Sequence, residues 1–322
     1  MNILQITPAG KHKRSGNHVT AQRYSRLLHE LGHNVTIQSS YTGHPADLLI
    51  VLHAGHGRDT VLNFKQQYPD KPVIVVLTGT DVYIDLDKDT DRITRVLDCA
   101  DALICFHDRV PRILPAACQD KCHVIYQSAR PLVTPRHHVL RYFDVCIIGH
   151  LRQVKDPFCT ARAVRDLSAS SRIRVTHLGR ALQETFRQQA EMEMQHNHRY
   201  RWLGDVPNWR VRQELARTRL MVISSLAEGG ANVLSEAVMA GVPVVATAID
   251  GNIGMLGEDY DGYYPPGDTA ALRQSLITLE QCPDVLLHLH AQCDRRRHLF
   301  SYEHELQSWR NLLVQLLRCK PA

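Results

Sequence analysis

The chain opens on a short apolar run, Ile3 to Ile6, and from there strand-like runs alternate with amphipathic stretches. The succession is Val19 to Leu31, Val35 to Ile37, Leu48 to Leu52, Thr60 to Gln67, Val73 to Leu77, Ile93 to Cys99 and Ala102 to Phe106. Short runs that are apolar at every position suit parallel strands covered on both faces, and the longer stretches repeat at helical spacing. The pattern predicts βαβ units. It lapses between Ala129 and Arg141, where Pro131 and Pro135 stand among polar and basic residues, and this stretch reads as an interlobe linker. The rhythm restarts with Phe143 to Ile148, Val175 to Leu178, Leu220 to Ile223 and Val242 to Ala246. Two open α/β sheets are expected, in residues 1–138 and 139–300, with a last amphipathic segment in 301–322 that suits either lobe. In open parallel sheets ligands bind beyond the carboxyl ends of the strands, so two such sheets facing one another make a cleft.

Composition changes this picture little. A length of 322 residues with 44% hydrophobic content is comfortable for two cores. The N-terminus lacks a basic segment followed by an apolar one, and no run reaches membrane-spanning length, so a soluble cytoplasmic protein is expected. The nine cysteines are scattered, without zinc-finger spacing, and read as reduced thiols. A net charge of +5 is dispersed, with no aromatic-lined basic stripe. That favours a small anionic substrate over nucleic acid.

The most informative local feature is Glu228 and Glu236, separated by the seven residues Gly229-Gly230-Ala231-Asn232-Val233-Leu234-Ser235. The apolar run Leu220 to Ile223 reads as a buried strand, Ser224 to Gly230 as a loop, Asn232 as a helix N-cap and Val233 to Ala240 as the helix. Glycines allow close backbone approach, and a helix start offers unpaired N–H groups to a diphosphate. Glu236 then sits roughly 6 Å along the axis, where a carboxylate can accept hydrogen bonds from ribose hydroxyls. A surface helix with two solvated acids is the bland alternative.

After the first strand of the second lobe comes Gly149-His150-Leu151-Arg152-Gln153-Val154-Lys155. Arg152 and Lys155 are placed to neutralise a departing diphosphate, whose charge grows as a glycosidic bond breaks. In the first lobe, Lys11-His12-Lys13-Arg14 precedes Ser15-Gly16-Asn17 and a helix start. This loop reads as an anion cradle, for a donor phosphate or for a phosphate on the acceptor. Gly16 is assigned to the donor, and Lys13, Arg14, Ser15 and Asn17 to the acceptor side. Thr78, Thr80 and Asp81 leave the next strand at the same edge and could orient a sugar or supply a base, with a capped turn as the alternative. His107 and Asp108 could serve as a base after Ala102 to Phe106. The acids from Asp85 to Asp91 spell Asp-x-Asp but form one polar run, and Gly55-His56-Gly57-Arg58-Asp59-Thr60 narrowly misses a dinucleotide fingerprint. No metal and no nicotinamide cofactor are expected.

These residues carry a resemblance. Glu228 to Glu236, Gly241-Val-Pro-Val-Val245 and Gly32-His-Asn-Val35 resemble the GT-B glycosyltransferases of family 4, across essentially the full chain. The resemblance implies two Rossmann-like domains, metal-free chemistry and a UDP-sugar donor. By it, Lys155 contacts the diphosphate, Glu236 holds the ribose, and Glu228 faces the sugar. The family's loop reads Gly-Arg-Leu where this chain has His150, and Arg152 inherits the arginine role. The combination of Arg14-Ser15-Gly16-Asn17, Thr78-Gly79-Thr80-Asp81 and Gly149-His150-Leu151-Arg152 resembles more narrowly the selenosugar synthases of selenoneine biosynthesis. These are implied to couple UDP-N-acetylglucosamine or UDP-glucose to selenophosphate, with a selenophosphate synthetase and a selenoneine synthase as pathway partners. Alternatives are a hexosyltransferase with a hydroxyl acceptor on a lipid or polysaccharide, a UDP-sugar epimerase, and a nucleotide-sugar binding protein without turnover.

Overall fold

The structure, a computed structural model, describes residues 1–8, 16–138 and 141–318. The chain divides into two compact units, Met1–Gln127 with Tyr302–Ala322, and Ser128–Ser301.

The first unit is built on six parallel strands, β1 (Asn2–Ile6), β2 (Asn34–Gln38), β3 (Leu48–Leu52), β4 (Val73–Val76), β5 (Ala102–Cys105) and β6 (Cys122–Val124), in the order β2-β1-β3-β4-β5-β6. β3 shows why its sequence is apolar throughout. Leu49 and Val51 face a core with Val61, Phe64, Val96 and Leu97, while Leu48, Ile50 and Leu52 face Tyr24, Leu27, Trp309 and Leu312. Side chains alternate across a strand, so a sheet covered on both faces needs apolar residues at both parities.

The second of those cores assigns the last helix, Tyr302–Arg318, to the first unit. Trp309 packs edge-on against Tyr24 with ring centroids 4.7 Å apart, and Arg23 Nε donates to the buried Glu305 Oε1 at 3.0 Å. The amphipathic face that suited either lobe in sequence is decided by these partners.

The second unit has β7 (Phe143–Ile148), β8 (Ile173–Leu178), β9 (Tyr200–Trp202), β10 (Leu220–Ile223), β11 (Val244–Thr247) and β12 (Tyr263–Tyr264). They form a parallel sheet in the order β12-β11-β10-β7-β8-β9. The boundary differs from the expected 138/139 and falls at 127/128. Residues taken for a linker are fastened to the second unit. Ala129 N donates to Phe300 O, His137 N donates to Ala216 O, and Arg136 donates to the carbonyls of Gly241 and Thr218. Such bonds reach across the chain by 79 residues and more, so local periodicity could not reveal them. Among the described residues, no helix is long and apolar enough to cross a membrane.

Trp309→Ala is expected to destabilise the protein by about 3 to 5 kcal/mol, the range for truncating a fully buried aromatic side chain. Urea unfolding measures it. A loss below about 1 kcal/mol would show that the last helix contributes little to the first unit's core.

Candidate active site

In the second sheet, β7 lies between β8 on one side and β10 on the other, so the strand order reverses between β7 and β10. Connections that leave these two strands diverge to opposite faces and open a crevice at their carboxyl ends. The loops 149–156 and 224–231 border it. They are stitched to each other by Leu226 N donating to Val154 O at 2.8 Å, and by Ser224 Oγ, which contacts the carbonyls of both Lys155 and Asp156 at 2.9 Å.

This stitching sets Lys155 against Glu228. Lys155 Nζ donates to Glu228 Oε1, and Ser225 Oγ donates to the same oxygen at 2.5 Å. The Glu228 side chain is 9% exposed and that of Lys155 21%. Among the described residues, Oε2 accepts no hydrogen bond from the protein, and Glu228 lines a recess together with His150, Ser225 and Val233. The ion pair is therefore largely desolvated but keeps one carboxylate oxygen open. Two residues to which the sequence assigned separate ligand contacts are joined in one bond.

The helix that follows is Asn232–Met239, one residue earlier than expected. Ala231, in extended geometry, is the residue before it, so Asn232 is the first helical residue and not the N-cap. Gly230 has φ 129°, a conformation open to glycine, and this lets the chain turn into the helix at the strand end. The first-turn amides of Asn232 and Val233 thus start at the crevice, and half-buried Glu236 lies one turn in. Gly229 is buried behind them.

The other side of the crevice is braced by His177 on β8. Its Nε2 lies 3.1 Å from Gly149 O and its Nδ1 2.9 Å from the Tyr200 hydroxyl. A carbonyl only accepts, so the proton sits on Nε2 and the tyrosine donates to Nδ1. Burial lowers the His177 pKa from 6.5 to about 4, against the pull of the Gly149 carbonyl, and the ring is neutral at pH 7. His150 Nδ1 accepts from Arg180 N at 3.1 Å, which ties the β7 and β8 exits together. Arg152 is exposed; its carbonyl accepts from Lys155 N at 3.0 Å, and among the described residues its side chain makes no hydrogen bond or ion pair.

Sequence reasoning missed Ser225, Thr247 and Asn252. Thr247 Oγ1 donates to Ser225 O at 2.6 Å, and Asn252 Nδ2 donates to Thr247 O and Oγ1 at 3.0 and 3.1 Å. Gly251 completes the contact, since a Cβ there would overlap the Glu228 carbonyl. The only sequence signal was a polar Thr at the end of an apolar strand.

In the first unit, Asp81 has a different role from the expected base or sugar ligand. It is fully buried, and its oxygens accept from the backbone N–H groups of Thr78, Gly79 and Ala54 at 2.7 to 3.1 Å. Its carboxylate holds the turn after β4 and the start of helix Ala54–Gln67, so the capped-turn alternative prevails. Thr80 Oγ1 accepts from His53 Nε2 at 2.9 Å, because His53 Nδ1 is occupied by His56 N. His53 has φ 76°, a strained value for a residue with a Cβ. The amides of Ala54 and His56 are thus already taken, which closes the near-fingerprint at Gly55 to Thr60 as an anion site. His107 is also buried, with Nδ1 accepting from Arg109 N at 3.3 Å and Nε2 at 3.1 Å from the Tyr83 hydroxyl, so it does not stand at an open edge. Gly16 and Asn17 open the helix Gly16–Glu30 after β1. Lys11, Lys13, Arg14 and Ser15 lie outside the described residues. Among the described residues, no group of three or more His, Cys, Asp or Glu could hold a metal ion.

Residues 142–281 match the family model described as Glycosyl transferases group 1. No curated protein sequence matches the chain. Among solved structures, HepE of Anabaena in complex with UDP superposes with TM-score 0.78 at 14% identity, over 98% of this chain and all of that one. Sucrose-phosphate synthase of Thermosynechococcus elongatus gives 0.78 at 14%, over 99% and 100%. A glycosyltransferase of Rickettsia africae gives 0.73 at 12%, over 99% of each chain. The fold, two six-stranded parallel sheets flanked by helices, is that of the GT-B glycosyltransferases. The group 1 glycosyl transferase match lies within the second unit.

Because the folded pKa of His177 lies below its ordinary value, its contribution to stability is complete above pH 6.5 and is lost as pH falls toward 4. Relative to His177→Gln, the wild type should lose on the order of 3 kcal/mol across that window. Denaturant midpoints at several pH values read this out. Parallel curves for the two proteins would remove His177 as the titrating group.

Proposed function

We propose that the protein transfers the sugar of a UDP-sugar and that its acceptor is selenophosphate. The observation that carries the donor half is the Lys155–Glu228 bond at the β7/β10 switch point, beside the start of helix Asn232–Met239. In this reading the helix-start amides and Lys155 take the diphosphate, with Arg152 as the second cation. Glu236 accepts from the ribose hydroxyls, and the open Oε2 of Glu228 accepts from a sugar hydroxyl. The departing diphosphate gains charge as the anomeric C–O bond breaks. A lysine drawn from Glu228 to that charge stabilises the transition state more than the ground state.

The acceptor half is supported by the basic loop Lys11 to Arg14 in the sequence, which suits an anionic acceptor. It is also supported by the fate of the two residues put forward as bases. Asp81 and His107 are both buried and hydrogen-bonded, and a selenium nucleophile needs no base. Selenium forms the C–Se bond, the C–O bonding pair leaves with UDP, and water then cleaves P–Se to release phosphate and the selenosugar. A selenophosphate synthetase would supply the acceptor, and a selenoneine synthase would consume the product.

Purified protein given UDP-N-acetylglucosamine or UDP-glucose should release UDP only when selenophosphate is added, with a selenosugar mass in the products. UDP release to a hydroxyl acceptor with indifference to selenophosphate would replace the acceptor assignment. Glu236→Ala should weaken UDP binding by about 1.5 to 3 kcal/mol, the scale of hydrogen bonds to a charged group, and unchanged affinity by calorimetry would remove the ribose role. For Lys155→Ala the loss in turnover should exceed the loss in donor binding. Equal losses would mean that the lysine serves only ground-state binding.

A further inference from the structure

We infer that Thr247 and Asn252 are positioning residues for the sugar half of the donor, acting through Ser225 on Glu228. The inference rests on the donor reading above. Thr247 is the last residue of β11, whose Ala246 pairs with Ile223 of β10, so it lies beside the loop that begins at Ser224. Thr247 and Asn252 are fully buried and Ser225 nearly so. The bonds run in one direction. Asn252 Nδ2 donates to Thr247 Oγ1, the threonine proton goes to Ser225 O, and Ser225 Oγ donates to Glu228 Oε1. A hydroxyl has a single proton, so Thr247 is free to donate to Ser225 because Asn252 fills its acceptor side.

The carboxylate is oriented as a result. Ser225 and Lys155 share Oε1, which leaves Oε2 without a protein donor among the described residues in the recess that Glu228 lines. The helix Asp250–Leu256 also presses on the Glu228 peptide through Gly251, so both the backbone and the side chain of Glu228 are referenced to the end of β11. One independent observation separates this from ordinary packing. Asn252 Oδ1 is buried without a hydrogen-bond partner, an unfavourable state that an apolar residue would avoid. The amide is retained for its donor side, which faces Thr247.

Thr247→Val keeps the shape and removes the hydroxyl. A carboxylate displaced by a fraction of an ångström from a sugar hydroxyl should lower kcat/KM for the UDP-sugar about 10- to 100-fold. Affinity for UDP alone, which lacks the sugar, should stay within about twofold, and Thr247→Ser should recover activity to within about threefold. Because the effect passes through Ser225, adding Thr247→Val to Ser225→Ala should cost little beyond Ser225→Ala alone. Wild-type kinetics in Thr247→Val, a parallel fall in UDP affinity, or multiplying losses in the double variant would each overturn the inference. Where circular dichroism shows Thr247→Val unfolded, Asn252→Ala with the same readouts decides. Failure of the wild type to bind UDP overturns the donor reading itself. UDP binding by the wild type with an unaffected Thr247→Val overturns only the positioning role.

Discussion

Parallel strands β7 and β10 lie side by side while their connections run to opposite faces of the sheet, and the candidate site depends on that reversal. The loop 149–156 continues to pair with the exit of β8 on one side, through Leu151 N to Arg180 O, and on the other it bonds to the loop 224–231. A lysine and a glutamate separated by 73 residues meet because the hydroxyl of Ser224 and the amide of Leu226 join the two loops. Every other part of the site is placed relative to this seam.

The Lys155–Glu228 pair has a definite electrostatic character. Neither charge is exposed enough to be well hydrated, and removing one partner leaves the other without compensation. A ligand that brings its own charge faces no such penalty. A diphosphate can take over the ammonium while a sugar hydroxyl meets the carboxylate oxygen that the protein leaves open. In the proposed reading the pair joins the two loops and supplies both contacts, the ammonium to the diphosphate and the carboxylate to the sugar. The network behind it runs from Asn252 through Thr247 to Ser225 and reaches the carboxylate at Oε1.

The first unit shows the opposite use of similar residues. Thr78-Gly79-Thr80-Asp81 leaves β4 at a ligand edge, as a binding loop would, yet Asp81 spends its oxygens on three backbone N–H groups. His53, strained and hydrogen-bonded on both ring nitrogens, closes the neighbouring helix start. A short polar segment after a strand has the same sequence signature whether its carboxylate points out to a ligand or in to the chain. Burial separates the two cases, and burial is a property of the neighbours.

The sequence by itself determined the two α/β sheets, the apolar strands and the Glu228, Glu236 and Lys155 elements, because each depends on residues a few positions apart. Periodicities of two and 3.6, a glycine at a strand exit and acids around a helix start are local consequences of backbone geometry. The tertiary structure alone decided that Lys155 and Glu228 share a bond, that His177 braces Gly149, and that Thr247 and Asn252 stand behind Ser225. It also fastened Arg136 and His137 to the second unit, moved the N-cap from Asn232 to Ala231, and buried Asp81 and His107. Each of those outcomes follows from which strands lie side by side. Strand order is set by the packing of whole helices on both faces, which no short window of sequence contains.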